Sequence, residues 1–449
     1  MRPEKLRQPE AFRPGQRTIQ PVELRPAPAF RDSHRPKRIL YLSQYFPPEM
    51  GAPAARVYEL SREWAALGHD VTVLTGFPNH PTGVIPPEYR GQLIRRELLD
   101  GINVVRTPIY AAANQGLIKR GLNYTSYAAS AAVLGPFLTA RPDVVIATSP
   151  QLLTAVAGFW ISALKRIPFV FEVRDLWPRS IVEVGALSAH HPAILLLEQL
   201  EMFLYSKADR IVTVTDAFVD ELSDRGVSRA KMRVVKNGVD LDLFRPSARQ
   251  NDVRRELGLS SDDFMCLYVG THGMAHGLET ILEAAARLRE ESHVRFVLVG
   301  EGAEKAALKE KARSMRLLDS VTFVDKQARS RVALYLAASD LSLVLLRKRP
   351  LFKTVLPSKI FEIMGAGRPM ILTVDGEARQ LVEEAKAGVF VTPEDPVALA
   401  ESILRLEKSP PLCAEMGSSG RAFVEARFSR KTLAQQYLGV LDELLVSRV

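Results

Sequence analysis

Three stretches of this sequence gather residue types suited to anionic, hydroxyl-rich molecules. The first is Leu356–Ile371 (LPSKIFEIMGAGRPMI). Pro357 and Ser358 mark a helix start, with Ser358 as the N-cap. The unbonded N–H groups of a helix N-terminus carry partial positive charge and can hold a diphosphate. Glu362 stands about one turn in, where a carboxylate can accept hydrogen bonds from two vicinal hydroxyls such as those of a ribose. Gly365 and Gly367 then end the helix. The competing reading is a plain capped helix with a solvated Glu.

The second stretch is Tyr268–Gly277 (YVGTHGMAHG), a strand running into a Gly-rich turn and then a helix. Gly270, Thr271 and Gly273 would offer a phosphate cradle. The pattern is neither GxGxxG nor a P-loop and has no Lys, so alone it says little. His272 or His276 could donate to phosphate oxygens; a solvated loop histidine is the alternative. The third stretch, Arg347–Lys359 (RKRPLFKTVLPSK), carries Arg347, Lys348, Arg349, Lys353 and Lys359. Such cations would offset the charge of a leaving nucleotide diphosphate, and Lys359 is best placed, at the helix start itself. A solvated basic loop competes with that reading.

In the first half, the loop Pro48–Pro53 contains Gly51, and Arg56 begins the helix after it. Either could approach a phosphate or an acceptor. Glu172–Arg179 (EVRDLWPR) follows an apolar strand. Polar residues at a strand's carboxyl end are expected to face a cleft, so Glu172, Arg174 and Asp175 are candidates for handling acceptor or phosphate. Trp177 could stack on a sugar, though an aromatic beside Pro is more often packing. Asp240-Leu241-Asp242 has the DxD form of a divalent-metal site. It lies in a turn with no other oxygen-rich cluster nearby, so no metal is expected.

These stretches sit on a repeated strand–helix alternation. Arg38–Ser43 is a short β-rich run, and Ala54–Gly68 has apolar residues at helical spacing (Val57, Leu60, Trp64, Leu67). Strands are expected at Asp70–Thr75, Ile102–Thr107, Asp143–Thr148, Pro168–Val173 and Arg210–Thr215. The alternation restarts at Phe264–Gly270, followed by Val294–Gly300, Val321–Val324, Leu341–Leu346, Met370–Val374 and Gly388–Thr392. Strands alternating with helices imply parallel pairing, so the fold class is α/β with two doubly wound sheets facing across a cleft. The junction is Lys236–Pro246, and a helical stripe of Leu433, Tyr437, Leu438, Leu441 and Leu445 ends the chain.

At 449 residues the chain is long enough for two domains of roughly 180–210 residues. Of its net charge of +9, residues 1–37 supply +5, with nine Lys/Arg against four Asp/Glu and seven prolines. That segment reads as a disordered basic tail, either solvated or touching anionic lipid headgroups. No apolar run is long enough to span a bilayer. The best candidate, Leu152–Leu164, fits a helix packed on a sheet, with a shallow membrane contact as the lesser reading. Cys266 and Cys413 form no CxxC pair, which argues against a zinc site or a disulfide framework.

Taken together, residues 37–445 resemble the retaining, GT-B glycosyltransferases of family 4. The resemblance rests on Pro47–Gly51, Gly68–Thr75 (GHDVTVLT), Asn237–Phe244 (NGVDLDLF), Gly270–Gly277 and Gly365–Pro369 (GAGRP). Asp175–Pro178 (DLWP) and Pro357–Glu362 (PSKIFE) resemble a narrower group that builds bacterial surface polysaccharides, including amino-deoxysugar transferases of O-antigen, capsule and colanic-acid-type pathways. The resemblance implies a tail at 1–36, an acceptor domain at 37–235, a linker at 236–246, a nucleotide-sugar domain at 247–410 and a helical segment at 411–449 that could pack back on the first domain.

It further implies that Glu362 binds the ribose, that Leu356–Lys359 and Gly270–Gly273 face the phosphates, and that the base rests near Val324–Lys326. Lys326, Lys353 and Thr354 therefore join the donor-side candidates. Two positions depart from the family: Thr354 stands where a first Glu is common, and His276 where Lys is common. Lys359 and Arg174 are the expected substitutes, and Glu362, Lys359, Arg174 and Asp175 are the residues expected to carry catalysis. The expected substrates are a nucleotide sugar, with a lean to uridine, and a saccharide or lipid-diphosphate-linked acceptor. No cofactor, metal or nucleic acid is expected. The expected location is the cytoplasm, with peripheral contact at the inner face of the membrane left open. A nucleotide-sugar 2-epimerase of the same fold and a non-catalytic scaffold of a polysaccharide assembly complex are the other readings.

Overall fold

The structure, a computed structural model, describes residues 35–447 apart from 81, 113–115, 184 and 186. The basic tail expected at 1–36 falls outside the described residues except for its last two positions.

The N-terminal lobe runs β1 (Arg38–Leu42), α1 (Ala52–Ala66), β2 (Asp70–Gly76), β3 (Arg95–Leu99), β4 (Ile102–Thr107), α2 (Leu117–Leu138), β5 (Val144–Thr148), α3 (Leu152–Lys165), β6 (Phe169–Val173), α4 (Arg179–Glu183), α5 (Pro192–Lys207), β7 (Arg210–Thr213), α6 (Asp216–Asp224) and β8 (Met232–Val234). Its strands form one sheet in the order β3-β4-β2-β1-β5-β6-β7-β8, parallel except for the β3–β4 pair. The central strands are short apolar runs because both faces are covered; all five residues of β5 (VVIAT) are buried. One face packs under α2, α3 and α5, around Leu74, Phe169 and Phe171. The other face packs under α1.

The C-terminal lobe runs α7 (Asp252–Glu256), β9 (Phe264–Val269), α8 (Glu279–Arg287), β10 (Val294–Val299), α9 (Lys305–Ser314), β11 (Val321–Val324), α10 (Arg329–Ala338), β12 (Leu341–Leu345), α11 (Lys359–Gly365), β13 (Met370–Thr373), α12 (Glu377–Glu384), β14 (Gly388–Phe390), α13 (Pro396–Glu407), α14 (Pro410–Arg427) and α15 (Arg430–Val446). Its six strands are all parallel, in the order β11-β10-β9-β12-β13-β14. Both sheets therefore aim their carboxyl ends, where wound folds bind ligands, at the space between the lobes.

The chain crosses between lobes twice, and the crossings are bonded to each other. The N–H of Val239 donates to the Phe428 carbonyl (3.0 Å) and that of Arg430 to the Val239 carbonyl (2.9 Å). The last helix, α15, lies on α1 of the first lobe, burying Leu433, Tyr437 and Leu441. Trp64 of α1 donates from its indole to the Ala434 carbonyl (3.0 Å) and meets the Tyr437 ring edge to face.

Candidate functional site

Two glycine turns form the C-terminal wall of the cleft. The turn after β9 and the turn after β10 interlock: the N–H of Gly270 donates to the Val299 carbonyl (3.0 Å), and that of His272 to the Glu301 carbonyl (2.9 Å). A Cβ on Gly300 would stand 1.8 Å from the Gly270 oxygen, and Gly270 and Gly300 both have φ of +153°. Only glycine permits that approach and that backbone.

Lys359 opens α11 directly beneath the first turn. A Cβ on Gly270 would lie 2.6 Å from the Lys359 Nζ, which sits 4.1 Å from the centroid of the Tyr268 ring. The stem of Lys359 is half-buried, but the ammonium nitrogen is buried and has no hydrogen-bond acceptor. Burial pushes it down to about 7. Ser358 occupies the N-cap position with helical angles, and its side chain makes no capping bond.

One turn further, Glu362 meets Arg329 of α10 at 3.2 Å. Burial pushes the Glu362 carboxyl up, and Arg329 opposes that rise. Arg329 also pairs with Glu59 of α1 at 2.7 Å, and Glu59 in turn holds Arg430 at 2.7 Å, so the ion pairs cross from lobe to lobe. His276 is kept neutral: burial, reinforced by nearby Lys359, pushes it down to about 3, and its Nδ1 lies 3.4 Å from the Leu345 carbonyl oxygen.

The opposite wall comes from the loop after β1. The Glu49 carboxylate accepts the N–H groups of Asn79 (2.9 Å) and His80 (2.8 Å). Burial outweighs those bonds and pushes Glu49 up to about 7. Lys326 reaches across from the C-terminal lobe to donate to the Met50 carbonyl (3.2 Å). The open cavity between these walls is about 580 Å³, within the usual range of small-molecule sites, about 300–1,000 Å³.

Of the residues singled out from the sequence, Gly51, Gly270, Thr271, His276, Lys326, Ser358, Lys359 and Glu362 line this cavity. The others are placed elsewhere, each for a physical reason. Arg56 and Glu172 do not face the cleft: they pair at 2.9 Å with side chains 1% and 0% exposed. Tyr41 donates to Glu172 (2.6 Å), and Arg56 donates to the carbonyls of Val235 (2.9 Å) and Lys236 (2.8 Å). This buried cluster pins the start of the inter-lobe linker. Burial works against charge on Glu172, but Arg56 and Arg174 together hold its carboxyl below the usual range.

Arg174 is not a phosphate-facing cation, because its guanidinium donates to the carbonyls of Ala52 (3.0 Å) and Pro53 (3.2 Å) and braces the first turn of α1. Asp175 is half-buried and does not line the cavity, and its N–H donates to the Ser149 hydroxyl (3.3 Å). Trp177 packs on the core of the first lobe. On the donor side, Lys353 pairs with Asp375 (3.0 Å) and the Thr354 hydroxyl donates to the Leu351 carbonyl (2.7 Å). His272 and Gly273 lie behind the cavity wall, and both His272 ring nitrogens are buried without partners. Asp240 is a turn cap: it accepts from the N–H groups of Asp242 and Leu243 and from Arg62. Among the described residues no group of three His, Cys, Asp or Glu side chains could hold a metal ion.

Three wall elements escaped the sequence reading. The turn Gly300-Glu301-Gly302 had a signal, since β10 ends in a second strand-to-glycine turn resembling the one after β9. Arg329 and Glu49 had none, because their roles depend on contacts with residues far away in the chain.

With this geometry in view, comparison with known families is decisive. The glycosyl transferase 4-like domain family matches residues 51–238, and the glycosyl transferases group 1 family matches residues 249–423. The chain is a family 4 glycosyltransferase of the GT-B type. A relative, the putative colanic acid biosynthesis glycosyl transferase WcaI of Escherichia coli K12, is 26% identical over 412 residues, covering 89% of this chain and 98% of that one. The fold of the enzyme matches that of sucrose-phosphate synthase from Thermosynechococcus elongatus, with a TM-score of 0.73 at 21% identity over 92% of this chain and 100% of that one. It also matches HepE from Anabaena, solved in complex with UDP-glucose, with a TM-score of 0.68 at 18% identity over 91% and 100%. Among the described residues, no helix of the enzyme is long and apolar enough to cross a membrane.

Proposed function

We propose that the enzyme transfers a sugar, with retention of anomeric configuration, from a uridine diphosphate donor to a saccharide or lipid-diphosphate-linked acceptor in the assembly of a bacterial surface polysaccharide. The transferred group would be a hexose or an N-acetylated amino-deoxysugar. The observation that carries the donor assignment is the Lys359 ammonium, buried and unpartnered under the Gly270 turn at the cavity wall. A buried polar group without a partner is costly unless a ligand supplies one. A diphosphate supplies charged oxygens, and the Gly270 and Gly300 turns let it approach the backbone closely. In this reading Glu362, one turn away, takes the ribose hydroxyls, and Arg329 at 3.2 Å opposes the upward push that burial gives its carboxyl. The uridine reading leans on HepE, solved with UDP-glucose, and the pathway reading on WcaI.

In this reading the bond between the anomeric carbon and the β-phosphate oxygen breaks first, giving an oxocarbenium-like centre. Lys359 and the turn N–H groups hold the charge that develops on the leaving diphosphate. The acceptor hydroxyl attacks from the same face, and the departing phosphate oxygen takes its proton. The chain supplies positioning and fixed charge, with no protein nucleophile and no divalent ion.

Calorimetry with a panel of nucleotides and nucleotide sugars tests the donor site. One nucleotide diphosphate should bind tightly, and Glu362→Ala and Lys359→Ala should each weaken it. No binding by any member sinks the donor assignment. Product analysis by NMR decides retention.

A further inference from the structure

Helices α2, α3 and α5 cover one face of the N-terminal sheet, and their outer sides are largely apolar. From Gly121 to Ala140, α2 and its exit carry no charged residue. Its outward stripe includes Ile118, Val133 and Phe137, which are 79%, 64% and 85% exposed. α3 continues the ridge with exposed Trp160 and Leu164, and α5 adds Leu196 and Phe203. The Phe159 and Phe203 rings meet edge to face, with centroids 5.6 Å apart, joining the last two helices. A helix at the surface of a soluble protein normally turns its charged side outward. A contiguous apolar face marks a binding surface.

Cations frame this ridge. Lys119 and Arg120 stand at the start of α2, Arg141 follows its end, and Lys165 and Arg166 close α3. Lys165 donates to the Thr139 carbonyl (2.8 Å), tying the two helix ends together. From Gly101 to Phe171 the one acidic residue is Asp143, which Arg38 already holds at 3.1 Å. On α5, Glu201 is bound to Arg225 and Tyr205, and Glu198 is half-buried.

We propose that the α2–α3–α5 face docks the enzyme onto an anionic lipid bilayer. The apolar ridge enters the boundary between headgroups and acyl chains, and the flanking cations pair with lipid phosphates. Trp160, exposed on this ridge, is of the residue type enriched at membrane–water interfaces. A second copy of this chain would bring cations against cations on the same face, which disfavours self-association there.

The face also leads to the active cleft. Gln44 donates to Asn123 of α2 (2.6 Å), and Asn123 donates to Asn79, whose N–H is bound by Glu49 in the cleft wall. The 22 residues of α2 span about 33 Å. Docking along α2 therefore holds the mouth of the cleft beside the lipid surface. The surface is independent of the donor and acceptor assignments, because its binding is read with neither present.

The test is flotation of the full chain with phosphatidylcholine vesicles, with and without phosphatidylglycerol. Flotation is expected with the anionic vesicles and is weak with the neutral ones. The double variant Phe137→Ser/Trp160→Ser and the double variant Lys165→Glu/Arg166→Glu should each lower partitioning by about tenfold or more. The circular dichroism spectrum and melting temperature should be unchanged in both, which shows that they are folded. Trp160 fluorescence should shift to the blue on anionic vesicles, and Trp160→Phe should remove that shift. No flotation of the wild type overturns the proposal. So do variants that float like the wild type, which would move the contact to the tail. A dimer in solution that the Phe137/Trp160 variant dissociates would assign the face to a second copy and overturn it equally.

Discussion

Two clusters of charged side chains lie near the cleft, one in each lobe, and they are built on opposite terms. In the first lobe Arg56, Glu172 and Tyr41 satisfy one another and the linker carbonyls, with no solvent reaching them. In the second lobe Lys359 and the turn above it leave an ammonium group with the face of the Tyr268 ring beside it and no hydrogen-bond acceptor. Both clusters use the residue types that a nucleotide site needs. A self-sufficient cluster has no bond left to offer a ligand, so it works as framework. The unfinished one pays in stability for a bond that only a ligand completes.

The comparison can be broken most forcefully at the framework cluster. Removing one partner from a buried ion pair costs about 3–5 kcal/mol. Arg56→Met should therefore lower the melting temperature steeply, while the fraction that folds keeps the UDP affinity of the wild type. A variant of normal stability with lost donor binding would mean that Arg56 belongs to the site after all.

The next largest effect belongs to Lys359. Lys359→Met should cut turnover by about 100- to 1,000-fold, as expected for one lost donor to developing charge. The same variant should not melt lower, because it removes a buried charge. A loss of stability with near-normal turnover would reverse the contrast between the clusters.

The pH dependence sharpens the point. With its folded pKa lowered to about 7, Lys359 is charged below that pH and neutral above it in the ligand-free enzyme. UDP affinity should fall as pH rises through 7, by up to about tenfold per unit. The stability term runs the other way. Between about 7 and the unfolded lysine value the unfolded chain binds the extra proton, so this group's contribution to stability rises with pH. Lys359→Met should flatten both curves. Glu49 also titrates near 7, on the other wall, and Glu49→Gln should leave the affinity slope in place. Gly300→Ala should weaken UDP by about tenfold, since its Cβ would collide with the Gly270 carbonyl. The smallest expected effect is none: a chelator should leave UDP binding unchanged in calorimetry.

Much of the fold could be read in advance, because strands buried on both faces are short apolar runs and the helices between them carry clear periodicity. β4 and β11 match the sequence reading residue for residue. The missed strands are the two edges of the first sheet. β3 (RRELL) is charged and half-exposed and pairs antiparallel, and β8 has three residues. Edge strands lack the apolar pattern because one side has no neighbour. The C-terminal helical segment proves to be two helices that part at Phe428 and Ser429.

The donor wall was legible through local signals: a helix start, a lysine at that start, and a glycine turn after a strand. The first lobe is harder to read, because a strand-end rule turns Glu172 outward. It is still within β6, and its side chain turns toward Tyr41 and Arg56, which lie far from it in the chain. A rule about strand ends says nothing of which partner waits on the inner side.

The return of α15 to the first lobe bears on how the protein is made. A ribosome delivers the N-terminal sheet early, yet the helix that covers Trp64 emerges only after the whole second lobe. The first lobe thus waits, with α1 bare on that side, until the second lobe has been made and Arg430–Val446 has followed it. Translation that stops short of Arg430 would release a chain whose second lobe has its sheet complete and whose first lobe is unsealed, a natural substrate for chaperones and proteases.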